Sequence, residues 1–240
     1  MTLDLDRITH PLRLAAGSHQ RGSGKGCAMN LISYINGDTQ ITDFPKCSAR
    51  PLARMVQALN DRLAGPDGFL SPENSVIALD LGWKTVGTAD TPKAVVWRWL
   101  ADLLVDPEMG VVQHATPRGA EAIRRVAGLC VRESVGDEVS RAEWNEARAA
   151  AAADAAADAA ADAGAGAAAY AAADAASYAA AYAAADAAAA AYAAAYADAY
   201  AAARIAFTGW AIQRWRDLAG LDGPDINAAD VNAALARMEA

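Results

Sequence analysis

The stretch from Arg148 to Arg204 constrains the fold more than any other part of the chain. It is almost entirely alanine, with aspartate at 154, 158, 162, 174, 186 and 198 and tyrosine at 170, 178, 182, 192, 196 and 200. Alanine has the highest helix propensity of all residues, and nothing in the stretch is β-branched. It therefore predicts helix, with Gly164 and Gly166 as its weak points, each costing about 1 kcal/mol relative to alanine. An unbroken helix over 141–219 would exceed about 110 Å at 1.5 Å per residue. That is too long for a 24.8 kDa protein, so a break near Gly164–Gly166 is expected.

At about 100° per residue, all six tyrosines of the stretch fall within one arc of about 120°. Phe207 and Trp210 continue that arc, and most of the aspartates lie opposite, Asp174 being the exception. The stretch is thus amphipathic, although it looks featureless. The stripe formed by Tyr170, Tyr178, Tyr182, Tyr192, Tyr196, Tyr200, Phe207 and Trp210 has two readings. It packs on the rest of the protein or on a second copy, with alanine allowing close approach. Alternatively, it is an exposed face that binds a protein partner, since tyrosine is favoured at interfaces.

Nearly all of the net charge of −8 lies after residue 148. A face that binds nucleic acid needs clustered Lys and Arg, so direct nucleic-acid binding is not expected. A basic protein partner or an acidic DNA-mimicking role fits the charge. The aspartates limit uncharged runs in the tract to eleven residues. A membrane span needs roughly 20, so none is expected. MTLDLDRITH shows no signal-peptide pattern, and three cysteines do not make a secreted disulfide framework. These features predict a cytoplasmic protein.

The first 140 residues predict a compact helical region. CAMNLISYIN, from Cys27, reads as a short helix ended by Gly37. Ser48 and Pro51 start a second helix, in which Leu52, Met55, Val56, Leu59 and Leu63 form the apolar stripe. Ser71-Pro72, Thr91-Pro92 and Thr116-Pro117 each place a capping hydroxyl before a proline at a helix start. Ser140 and Glu143 form a capping box that opens the alanine-rich segment. A last short helix follows Gly223-Pro224. The reading is all-α, with domains at 1–138 and 139–240.

Chemistry-bearing residues are sparse. GSHQRGSGKG lacks the first glycine of a phosphate loop and has Gly26 where Ser or Thr should follow Lys25. His19, Cys27 and Cys47 are candidate metal ligands, with zinc as the metal they would suit, but no paired C-x-x-C spacing accompanies them. Cys27 with His19 would make a nucleophile pair that lacks an identified orienting group. No catalytic residue is assigned.

Two resemblances cover most of the chain. From Pro117, the residues PRGAEAIRRVAGL, SRAEWNEARAAAAADAAADAAA, the tyrosine-spaced repeat and WAIQRWRDLAGL resemble the alanine-rich immunity proteins of actinobacteria and their phages. That likeness implies an all-helical protein that acts by binding, with no catalytic residues to carry over. The N-terminal part, about 12–105, resembles an actinobacterial and actinobacteriophage family through Gly17-Ser18-His19, Gly26-Cys27-Ala28-Met29-Asn30, Ser33-Tyr34, Gly37-Asp38, Asp43-Phe44-Pro45-Lys46-Cys47, Asn60-Asp61 and Val86-Gly87-Thr88. Its members often have Glu at the position of Asn30 and His at that of Phe44, so this chain departs from the family at two positions able to serve as ligand or base. That likeness carries no activity over. Together the readings favour a phage- or mobile-element-type protein-binding factor, immunity- or anti-defence-like. The alternatives are a metal- or cysteine-dependent enzyme using His19, Cys27 and Cys47, and a structural or homo-oligomeric component.

Overall fold

Apolar residues at helical spacing, each run closed by glycine or proline, set the architecture. The computed structural model describes residues 13–17, 25–115, 117–147, 149 and 197–223. Within them the fold is mainly α, as the sequence predicts. The helices are α1 (Ala28–Ile35), α2 (Arg50–Leu63), α3 (Pro72–Lys84), α4 (Lys93–Val105), α5 (Pro117–Ser134) and α6 (Ala197–Ala219). A 3₁₀ turn covers Val111–His114, and the backbone is helical again at 141–147. The only paired strands among the described residues are two-residue segments, β1 (Arg13–Leu14) and β2 (Lys25–Gly26), which run parallel. Both precede the first helix. The alanine tract before Ala197, with its expected break at Gly164–Gly166, and the helix expected after Pro224 lie outside the described residues.

Two compact units emerge: the chain passes from the first to the second at Asp90–Thr91 and returns to the first at Gly220. This contact seam is a different division from the compositional one at 138–139, because α4 and α5 pack with α6.

In the first unit α1, α2 and α3 pack on one another. Met29 and Ile32 of α1, Leu52, Met55, Val56 and Leu59 of α2, and Leu79 and Trp83 of α3 are all buried. Gly82 makes the α1–α3 approach feasible, since a Cβ there would sit 3.3 Å from Ile32 Cγ1. α3 starts as its sequence dictates. Ser71 Oγ accepts the Asn74 amide at 3.2 Å, with Pro72 in the first turn. α2 does not use Ser48. Ala49 is its N-cap and its amide donates to Thr88 Oγ1 at 2.8 Å, while the Ser48 hydroxyl pairs with Thr85 Oγ1.

The second unit is built on α4. Trp99, Leu103 and Leu104 are buried with Ile123, Val126 and Cys130 of α5 and with Phe207, Ala211, Ile212 and Trp215 of α6. Trp99 and Trp215 meet edge to face with centroids 4.9 Å apart, and Trp99 Nε1 donates to the Ala211 carbonyl at 2.7 Å. Arg214 of α6 reaches Asp102 of α4 at 2.7 Å. Thr91 does not cap α4, whose N-cap is Pro92. Its hydroxyl accepts instead from Trp215 Nε1 at 3.0 Å. The capping box forms as expected: Glu143 N donates to Ser140 Oγ at 3.2 Å, and Ser140 N donates to Glu143 Oε2 at 2.9 Å. Arg132, near the end of α5, binds Glu143 and Asp137 and closes the turn before it. Those contacts hold the Glu143 carboxyl down at about 2, with Arg132 the leading cause.

Candidate functional site

The densest gathering of polar side chains lies inside the first unit, around Asp43. The start of α1 leaves backbone N–H groups without intrahelical partners, as every helix start does. Asn30 Oδ1 accepts the Cys27 amide at 3.0 Å, and Asn60 Oδ1, from α2, accepts the Ala28 amide at 3.1 Å. Asn60 Nδ2 in turn donates to the Ala15 carbonyl at 2.9 Å, fastening the N-terminal strand to the helices.

Asp43 sits at the centre, only 8% exposed. Asn30 Nδ2 and the Cys27 thiol donate to its Oδ1 at 2.8 and 3.5 Å, and Gln57 Nε2 donates to its Oδ2 at 2.9 Å. Gln57 Oε1 accepts from the exposed Arg54 guanidinium at 2.7 Å, so the amide links a surface cation to the buried acid. Every partner of Asp43 named here is a donor, and burial without them would be costly.

A thiol beside a carboxylate invites a catalytic reading, but the electrostatics point the other way. Burial pushes the Cys27 thiol up to about 12; the negative Asp43 adds to that, and the Asn30 contact only partly opposes it. Cys27 is the N-cap of α1, and a helix N-terminus favours the thiolate, but burial and the Asp43 charge outweigh that effect. Cys27 is therefore a hydrogen-bond donor at neutral pH. Cys47 is also buried, and burial is the main cause that raises its pKa. Its thiol contacts Ser48 Oγ at 3.8 Å, outside the Asp43 network. His19 lies outside the described residues. Among the described residues no group of three His, Cys, Asp or Glu side chains is placed to hold a metal.

These burial states predict slow thiol chemistry. Native protein at pH 8 should leave Cys27, Cys47 and Cys130 unmodified by a thiol-specific disulfide reagent, and denaturant should release all three. Rapid modification of Cys27 in native protein would show that the pocket opens and exposes the thiol.

Of the tyrosine stripe, Tyr170, Tyr178, Tyr182, Tyr192 and Tyr196 fall outside the described residues, and Tyr200 belongs to α6. Phe207 is 4% exposed, and its ring centroid lies 5.5 Å from that of the half-buried Trp210. Phe207 is thus a core residue of the second unit, which is the packing reading for that position. Among the described residues no helix is long and apolar enough to cross a membrane.

The Asp43 network was only partly visible in the sequence. Asn30, Asp43 and Asn60 stood out only through resemblance, and Gln57 did not stand out at all. The missed signal was polar residues in the buried phase of a helix: Gln57 and Asn60, three apart on α2, share a face with Ala53 and Val56. No family model, curated protein or solved structure matches this chain.

Proposed function

We propose that the protein acts by binding another protein, as an accessory factor of phage or mobile-element type with an immunity- or anti-defence-like role. The contact surface is the tyrosine–aspartate stretch running from Tyr170 to Tyr200. One observation carries this reading: the chain entering and the chain leaving that stretch are both anchored in the second unit. On the entering side, Arg132 clasps the Ser140–Glu143 capping box, and Trp144 stacks on Trp97 with centroids 5.5 Å apart. On the leaving side, α6 is held on α4 by Trp99, Trp215 and the Arg214–Asp102 ion pair. Fixing both ends lowers the conformational entropy that binding through the stretch would cost. The proposed face stops short of Phe207, whose ring is used in the core. The acidic charge of the stretch favours a basic partner and speeds encounter with it.

The test is a pull-down from the natural host with wild-type protein and a Tyr178→Ala, Tyr182→Ala, Tyr196→Ala triple variant. Alanine keeps helix propensity, so the fold should survive the change. A partner enriched by the wild type should fall about tenfold or more with the variant, as expected for lost aromatic anchors. Equal recovery by both proteins would sink the interface.

A further inference from the structure

A cavity of about 350 Å³ opens in the second unit, away from the Asp43 network. One wall is α6, which contributes Ala202, Ala203, Ala206 and Phe207. The other is the turn after α4, which contributes Glu108, Met109 and His114. The three alanines leave the space that larger side chains would fill. Met109 and Phe207 make the remaining wall apolar. The volume falls at the lower end of small-ligand sites, which are mostly apolar with a few placed polar groups.

The turn is held in shape. Asp106 Oδ1 accepts the amides of Glu108 and Met109, both at 2.9 Å. A Cβ on Gly110 would lie 2.4 Å from Asp106 N, so only glycine closes the turn this tightly. Glu108 is exposed and forms no ion pair among the described residues. His114 is half-buried, and burial lowers its pKa, so the imidazole does not place a competing cation in the wall. Arg204, on the same helix, is buried and does not line the cavity.

We propose that this cavity binds an alkylammonium group, its chain lying on Met109, Phe207 and the alanine wall and its charged head held by Glu108. An aliphatic stem with a cationic tip is the shape that buries carbon and keeps its charge near water. Two sources share that chemistry, a free aliphatic amine and a lysine side chain. The proposal uses none of the residues from Tyr170 to Tyr200, so it stands whether or not that stretch binds a partner.

The test follows the Met109 methyl signal by NMR in methionine-labelled full-length protein. Titration with n-butylammonium chloride should shift it saturably, while Met29 and Met55 in the first unit stay fixed. n-Butanol should bind about tenfold more weakly, and Glu108→Gln should weaken the amine by about the same factor, the scale of one charge-assisted contact. Ala203→Leu should block the shift while circular dichroism stays unchanged. N-acetyl-lysine methylamide binding as well as butylammonium assigns the site to lysine side chains, and its failure where butylammonium succeeds assigns free amines. Absence of a saturable shift, equal shifts from butanol, or undiminished binding by Glu108→Gln would overturn the proposal.

Discussion

Replacing Asp43 with alanine is expected to destabilise the first unit by about 3–5 kcal/mol. The change removes the acceptor for Asn30 Nδ2, Gln57 Nε2 and the Cys27 thiol at once. Asn30 and Gln57 are each 4% exposed, and Cys27 is fully buried, so water cannot replace the carboxylate without opening the core. A buried donor left unsatisfied costs about 1–3 kcal/mol, and three are stranded together. A domain has only about 5–15 kcal/mol in total, so the variant sits near the threshold of folding. Amide exchange in α1 and α2, together with urea denaturation, measures the loss. Asp43→Asn should cost less, because one oxygen still accepts while the new amide faces the Gln57 donor. A loss below about 1 kcal/mol for Asp43→Ala would show that the network does not hold the unit together, given that penalty per donor.

Trp99→Ala is expected to cost the second unit about 4 kcal/mol and to loosen α6. Trp99 is fully buried, and large-to-small changes of buried aromatics cost about 3–5 kcal/mol. The edge-to-face pair with Trp215 adds about 0.5–1.5 kcal/mol beyond area alone. α6 also loses the Nε1 contact to the Ala211 carbonyl. Its remaining holds on α4 include the Arg214–Asp102 pair, and a partly exposed ion pair contributes little. Exchange of α6 amides should accelerate by orders of magnitude relative to those of α5. Trp99→Phe should recover part of the loss, since it restores a ring in the core but no N–H donor. Unchanged protection of α6 would place its anchoring elsewhere.

The two variants act on separate units, so their costs should add. They also bear on function differently. Loosening α6 frees one anchor of the tyrosine stretch and should weaken partner recovery. The Asp43 change leaves both anchors in place.

Some of these features are legible in the sequence alone. Ser71-Pro72 and Ser140–Glu143 place their helix starts correctly, because a cap is satisfied within three residues and needs no distant partner. The stripe of α2 likewise identifies its own buried side. Ser48 and Thr91 look like the same kind of cap, and both hydroxyls are engaged elsewhere. Ser48 pairs with Thr85 and Thr91 with Trp215. Nothing near them in sequence announces those partners. Asp43 is the sharper case. Between Thr42 and Phe44 it reads as a loop residue, and only the packing of α1 against α2 makes it a buried hub.

The sequence by itself determined that this protein is mainly helical and where most of the described helices begin. Those features depend on contacts between residues three or four apart, which helix geometry fixes locally. Tertiary structure alone decided that Phe207 faces inward, that Cys27 serves as a donor and not a nucleophile, and that the seam falls at Asp90–Thr91. Each follows from which distant surfaces bury one another, and burial sets both the environment of a side chain and the charge it can carry.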